Sequence, residues 1–435
     1  MTEARLQTGI DFGASWVDVC LLNPAGEPLL AHQRFLNALP GYEAVKQLLV
    51  ETLTARAYTG LDISGEATGM YWLPFFLHLA SDPDLAAYDP QLYLLNPRWV
   101  AWFKKCFAQD DKSDLKDPYY IAERTRVRRP PVAWQADPPG LALRSYTRYR
   151  FHLVEALARE KCFFCAYLFL QANAYRRLKP FSDTFGVTSR AILQEDATLE
   201  QLAALPVGDL AARLSELSHG HLPQPDQNAV KLQPVARESF SLDPQLAQAI
   251  QHILTATLAH ITFLEGQIQQ AEAWITTALA AYPPIQQLLT LPGYGPVYSA
   301  GVGAEIGAVH RFLAGQKWDR QRTRYRPKNL RDAEDAIAKI AGLWWPQSQS
   351  GSFAAEDRHM STAANRYLRY YLIQGADHLR KRVPEFQRFY ARKYAEVPKH
   401  KHKRALVLTA RKSIGVIVGL LHRNEPYRSE EERRT

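Results

Sequence analysis

The feature that most constrains this chain is a run near its start, "TGIDFGASWVDVCLLNPAGEPLLAHQRF", in which three apolar stretches are separated by tight turns. Alternation with a period of two is what a strand needs to bury one face of a sheet. "TGIDFGA" reads as a strand closing on Asp11 and Gly13, "WVDVCLLN" as a second, and "LLAHQRF" as a return after the turn "PAGEP". Helical periodicity follows in "GYEAVKQLLVETLTAR". Then come a short strand in "LDISGEATGMY" ending near Glu66, a helix, and the strand "QLYLLNP". "PRWVAWFKKCF" and "PYYIAERTRV" are helical, with a break near Gln109–Ser113. Strands alternating with helices predict an α/β layer domain, ending in the Pro-rich "VRRPPVAWQADPPG".

A chain of 435 residues has room for more than one core. Residues 143–220 read as helices without catalytic signatures, and "SHGHLPQPDQNAVKLQPVARES" as a polar loop or linker. Asp243 then caps a long helix with Pro244 at its first position. Apolar residues recur there at 246, 250, 253, 257, 261, 264, 268, 271, 275 and 278, the alternation of threes and fours of a coiled-coil seam. The plainer alternative is a long helix packed within one subunit. Cys162 and Cys165 form a CxxC inside the apolar "CFFCAYLFLQA". With no second CxxC or His pair at ligand spacing, they are expected to pack in a core rather than hold zinc. No apolar run reaches the roughly 20 residues of a membrane span, and "MTEARLQTGIDFG" lacks a signal-peptide layout. The expectation is a cytoplasmic protein with no membrane partner.

Charge is unevenly spread. Arg311 to Thr435 holds 28 Lys+Arg against 13 Asp+Glu, a net +15, so with +9 overall the first 310 residues carry −6. A basic C-terminal third with interleaved aromatics ("KWDRQRTRYRPK", "NRYLRYYL", "FQRFYARKYA") points to nucleic acid. "LLTLPGYGPVYSAGVGAEIG" has the glycine spacing of a helix-hairpin-helix, in which Gly293 and Gly295 let backbone N–H groups approach a phosphate.

The acidic residues mark a second site. Asp11 closes the first strand, Glu66 ends another, and Asp114 and Asp117 lie i,i+3 in "KSDLKDPYYIAE", on one face of a helix start. Crowded carboxylates repel unless a cation lies between them, and hard oxygen ligands suit Mg²⁺ or Mn²⁺. Two such ions can activate an attacking oxygen and stabilise a leaving one at a phosphodiester. For Asp114 and Asp117 a helix N-cap is an equally good reading, and Asp110 and Asp111 are neighbouring decoys. The opening strands also resemble the phosphate-binding start of sugar kinases and related ATPases, but no second Asp-x-Gly strand or adenosine-binding glycine pair is evident.

In their order these features resemble the DEDD-type insertion-sequence transposases, also known as bridge-RNA-guided serine recombinases. The shared motifs are "GID", "EATG", "KSDLKD", "LLNP" and "RRPPVAW". They continue with "PGYGPVYSAGVGAEIG", "AGLWWPQSQSGS", "MSTAANRYLRYYL" and the closing "YARKYAEVPKHKHKRALVLTARKSIGVIVGLLHRNEPY". The resemblance covers roughly 1–140 and 240–427. It implies a multidomain α/β plus α protein. Residues 1–142 would form a RuvC-like ribonuclease-H domain and 143–285 a helical linker with the coiled coil. Residues 286–427 would be a mainly helical transposase domain, and 428–435 a charged tail. Asp11, Glu66, Asp114 and Asp117 would be the catalytic metal ligands.

The same resemblance makes Ser350 the nucleophile, within reach of misassignment to Ser348 or Ser352. A phosphoserine link to one DNA strand would result, followed by strand exchange. Arg358, Arg366 and Arg369 would hold phosphates, and Lys399, Lys401, Lys403, Arg404, Arg411 and Lys412 would extend the nucleic-acid contact. The implied partners are donor and target DNA, a guide (bridge) RNA, and further copies of the chain, dimers assembling into a tetramer in a prokaryotic cytoplasm. The alternative is a metal-only RuvC-like nuclease, in which the "SGS" segment is only a loop. This sequence departs from the family at Thr362 and Ala364, where Lys and Gly are usual, and is longer over 313–341 and 150–240.

Overall fold

The computed structural model describes residues 4–107, 114–194, 199–319, 322–346, 349–350, 353–354, 360–361, 364–429 and 432; of Asp114 and Ser350 it describes the backbone alone. The chain divides into two compact units, one made of Met1–Pro138 with Ala308–Ala336, the other of Pro139–Gly307 with Ile337–Thr435.

The first unit is built on five strands: β1 (Arg5–Phe12), β2 (Trp16–Leu22), β3 (Pro28–Leu36), β4 (Gly60–Glu66) and β5 (Pro90–Leu95). Their order is β3-β2-β1-β4-β5. The first three form an antiparallel meander, and β4 and β5 run parallel to β1. Every second residue faces the same way. On one face Leu6, Ile10, Phe12, Val17, Val19, Leu61 and Ile63 are buried with Tyr42, Val45, Leu49 and Leu53 of α1 (Leu39–Ala55) and Phe75, Phe76 and Leu79 of α2 (Leu73–Ser81). Fully burying each such side chain contributes about 1.5–3 kcal/mol, which makes this layer the main stabiliser of the sheet.

The other face carries Gly9, Asp11, Asp18, Cys20, Ser64 and Glu66, and there α3 (Pro97–Lys104) and α4 (Asp117–Val127) pack. Asn96 caps α3 through Oδ1, which accepts from the Arg98 amide at 2.9 Å. A mixed α/β sheet in this order fits a DEDD-type RuvC-like domain.

The second unit is helical. The helix α5 (Pro138–Gln171) runs antiparallel to α6 (Pro244–Ala280). Arg150 Nε donates to Glu272 at 2.8 Å, the Lys161 ammonium lies 2.9 Å from Glu265, and Gln171 Nε2 donates to Gln251 at 2.6 Å. Asp243 Oδ1 accepts from the amides of Gln245 and Leu246, as an N-cap does. The seam residues Ile250 and Ile261 pack with Phe164 and Leu168 of α5, and Leu264 and Ala271 with Leu153. The stripe read as a coiled-coil seam is thus lined by a helix of the same chain.

Two expectations are corrected here. The segment read as a polar linker contains a helix, Pro225–Glu238, because Ala229, Leu232 and Val235 recur at helical spacing and are buried, even though Pro234 lies inside it. Cys162 and Cys165 are exposed and free rather than packed in a core. The inward stripe of α5 is set by Phe164 and Leu168, which turns both thiols outward. The closing helix is long and apolar enough to cross a membrane by length and composition alone. It instead buries Ala405, Thr409, Ser413 and Ile417 along one stripe and packs on the two helices before it.

Candidate active site

Asp11 and Glu66 reach one place because β1 and β4 are parallel neighbours. Their register ends at Ile10 opposite Gly65, so the next residue of each strand is a carboxylate, and both side chains point to the α4 face. The helix α4 comes close because position 9 has no side chain. A Cβ on Gly9 would stand 1.9 Å from the Pro118 carbonyl oxygen and 2.7 Å from the Ala122 amide nitrogen. This contact sets the first turn of α4, and with it Asp117, directly over β1. The backbone of Asp114 lies in the 3₁₀ turn Asp114–Lys116 that leads into α4.

The electrostatics follow from that crowding. Burial raises the Asp11 carboxyl to about 6, and the charges of Asp117 and Glu66 push the same way. Glu66 accepts from the Thr68 hydroxyl at 2.8 Å. The Lys104 ammonium, at the end of α3, lies 2.6 Å from Asp117 Oδ2 and opposes the shift at Asp11. Asp18 stands directly opposite Asp11 on β2. It accepts from Arg34 Nε at 2.9 Å and Nη2 at 3.0 Å, and His32 Nε2 lies 2.7 Å away. Burial works to raise the Asp18 carboxyl, but Arg34 and His32 outweigh it and hold it low.

Lys104 and Asp18 went unnoticed in the sequence. Asp18 had a signal, since it is polar within an otherwise apolar strand, whereas Lys104 is one basic residue among many. Among the described residues no three His, Cys, Asp or Glu side chains converge on one metal position. The donors nearest one another, the carboxylates of Asp11, Glu66 and Asp117, are of the hard-oxygen type that suits Mg²⁺ or Mn²⁺, and the Lys104 ammonium already sits against one of them.

Ser350 belongs to the second unit. It ends the two-residue strand β8 (Gln349–Ser350), which pairs with β9 (Phe353–Ala354). The segment carrying it is clamped at its base. The Ser361 amide donates to the Trp344 carbonyl at 3.0 Å, and Asn365 N donates to Ile340 O at 2.7 Å. Arg369 donates from Nε to Ala341 O at 2.9 Å and from Nη2 to Ser361 O at 2.7 Å. Asn365 also caps its helix, Arg366–Arg382, and donates to the buried Glu305 at 2.6 Å.

Of the basic residues, Arg366 pairs with Glu155 and lies over the rings of Phe151 and Tyr367. Arg404 bonds the Lys393 carbonyl and Glu396, and Lys412 pairs with Glu385 over Phe386 and Phe389. Lys401 lies over the Tyr394 ring. Lys399 and Lys403 are exposed, and Arg411 is half-buried. Arg358, Ser348 and Ser352 lie outside the described residues. At the glycine turn, Gly293 has φ +93° and packs on His378, while a Cβ on Gly295 would meet nothing within 4 Å. A 3₁₀ stretch, Pro283–Thr290, precedes that turn and the helix Pro296–Ile306 follows it.

Carboxylates at adjacent parallel strand ends beneath a helix fit the class of DEDD-type, RuvC-like domains. A DEDD transposase model of the IS110 type, described as "Transposase", matches residues 8–170, and one described as "Transposase IS116/IS110/IS902 family" matches residues 326–391. The chain belongs to this family of insertion-sequence transposases, enzymes that cleave and rejoin DNA. A search of curated proteins returned no match.

Proposed function

We propose that this transposase is an RNA-guided serine recombinase that exchanges DNA strands through a phosphoserine intermediate. The observation that carries the reading is the setting of Asp11, whose carboxyl is raised by burial and further by the nearby charges of Asp117 and Glu66. Asp11, Glu66, Asp114 and Asp117 would hold Mg²⁺ or Mn²⁺, which supplies Lewis-acid stabilisation of the oxygens around phosphorus. Residues 1–142 supply the carboxylates and 286–427 the serine, with 143–285 between them and 428–435 as a tail. The Ser350 hydroxyl gives up its proton and bonds to phosphorus. A deoxyribose oxygen leaves with the electron pair and takes up a proton, so the phosphodiester energy is retained for rejoining.

Arg358 and Arg366 would hold phosphates there, with the open backbone at Gly295 and the basic residues from Lys399 to Lys412 extending the contact. The carboxylates of one subunit would serve the serine of another, which calls for a homo-oligomer of dimers assembled as a tetramer. Target choice would rest on base pairing with a guide RNA, leaving the protein to read backbone and shape.

The test is a denaturing gel of the protein with cleavable DNA and Mn²⁺. A covalent adduct is expected for the native chain and for the Ser348→Ala and Ser352→Ala variants, and none for Ser350→Ala. Cleavage without any adduct in the native chain would establish the metal-only nuclease instead. Loss of site selection after ribonuclease treatment, restored by adding back co-purified RNA, tests the guide.

A further inference from the structure

A β-hairpin formed by β6 (Gln316–Asp319) and β7 (Arg324–Pro327) rises from the first unit just before the helix Leu330–Ile340. Its first strand lies outside both family-matched segments, so family membership does not account for it. The two faces of the hairpin differ in kind. Lys317 stands opposite Arg326, and Trp318 opposite Tyr325.

The basic face is turned to the helix. There the buried Asp332 accepts from Lys317 Nζ at 2.6 Å, from Arg326 Nη1 at 2.5 Å and from the Asn329 amide at 2.9 Å. Three residues donating to one buried carboxylate, Arg326 through both Nη1 and Nη2, fix the ribbon to its base. Arg326, Lys317 and the Asn329 amide hold the Asp332 carboxyl far below the usual range, which keeps the anchor charged at any physiological pH.

The opposite face bears two rings. Trp318 is 48% exposed and Tyr325 65% exposed, and their centroids lie 5.2 Å apart in an edge-to-face pair. Large aromatic side chains held out in water on a rigid support mark a contact surface. From residue 317 to 328 the sequence has six Lys or Arg against one Asp, so whatever covers the rings is negatively charged. A ribbon that reads a duplex groove presents polar side chains to base edges. This one presents π-faces, which suit bases that are already unpaired.

We propose that the 316–327 hairpin binds single-stranded DNA, stacking unpaired bases on Trp318 and Tyr325 while neighbouring cations meet the phosphates. The occupant is DNA because cleaving and rejoining a DNA duplex, the enzyme's reaction, frees strands beside the protein.

The test measures binding of the full-length protein to fluorescent dT20, to a 20-base-pair duplex and to U20 at one fixed salt concentration. The Trp318→Ala/Tyr325→Ala variant is expected to lose about tenfold or more in affinity for dT20, on the scale of base–aromatic stacking. Its duplex affinity should hold within about twofold, the salt-dependent phosphate contacts being kept. Trp318→Phe/Tyr325→Phe keeps the rings and should keep dT20 binding. An unchanged dT20 affinity, an equal loss on the duplex, or a loss confined to U20 would each overturn the proposal. So would loss of self-association with DNA binding intact, which would make the surface a protein contact. Should the double alanine variant fail to fold, photocrosslinking of 5-iodouracil-substituted dT20 to the native chain decides. Peptides crosslinked at Trp318 or Tyr325 are expected, and adducts confined to other segments overturn the proposal.

Discussion

The Pro118 carbonyl oxygen occupies the space into which a side chain at Gly9 would project, 1.9 Å from the position of its Cβ. This backbone-on-backbone contact seats α4 on β1 and so sets Asp117 beside Asp11. Gly9→Ala has no flexible neighbour to displace, since the obstacle is main chain. Overpacking of this kind costs about 1–3 kcal/mol. The variant is expected to melt earlier and to lose DNA cleavage, with Mn²⁺ affinity, read by calorimetry, falling as well. A variant that cleaves at the native rate would show that α4 tolerates a shift and that the seating is not what assembles the site.

Asp11 should trade stability for chemistry. Its folded-state pKa of about 6 lies above the roughly 3.9 of an unfolded aspartate. The folded chain therefore holds an extra proton between those values, and the stability this group contributes is lost as pH rises through about 6. Asp11→Asn removes that loss. It should stabilise the metal-free protein by about 1–3 kcal/mol at pH 8 and give no gain at pH 4, read from thermal melts. DNA cleavage should vanish at both. By the same logic Mn²⁺ binding to the native chain should weaken below about pH 6, where the metal competes with a proton.

The Lys104 ammonium sits 2.6 Å from Asp117 and lowers the Asp11 pKa by its charge. It is a built-in cation that a metal ion must displace from Asp117. Lys104→Met should raise Mn²⁺ affinity at pH 8 by about threefold to tenfold, the scale of one partly exposed ion pair. It should also move the pH midpoint of Mn²⁺ binding upward, because Asp11 then holds its proton more tightly. Weaker Mn²⁺ binding at pH 8 would mean that Lys104 assists the metal rather than competing with it.

Strand periodicity and the positions of Asp11 and Glu66 were legible because a half-buried sheet writes its faces into alternate residues, and both carboxylates close such strands. What could not be read was anything set by a neighbour distant in sequence. The long helix Pro244–Ala280 shows an apolar seam, but a seam does not say who lines it. Here the partner is α5, about a hundred residues earlier in the same chain. The helix at Pro225–Glu238 was hidden by its prolines and polar residues, and only its burial of Leu232 and Val235 makes it stable. Gly9 carries no signal of its own, because what it accommodates is α4, and Asp18, though polar within an apolar strand, does not announce its partners Arg34 and His32.

Arg369 was expected to hold a phosphate, but its guanidinium is turned onto its own chain, bonded to the carbonyls of Ala341 and Ser361. Those residues flank the segment that carries Ser350, so Arg369 acts as a clamp at its base. Gly342, at φ +67°, is needed for the same fit, since a Cβ there would lie 2.0 Å from Arg369 Nη2. Hydrogen bonds from a charged donor are worth about 1.5–3 kcal/mol each. Arg369→Ala should therefore lower the melting temperature and cut the yield of covalent adduct, while DNA affinity stays within about twofold of native. Arg369→Lys should not rescue it, because one ammonium cannot reproduce the two-pronged geometry. If instead DNA affinity falls in step with adduct yield and the melting temperature does not move, Arg369 is a phosphate ligand after all.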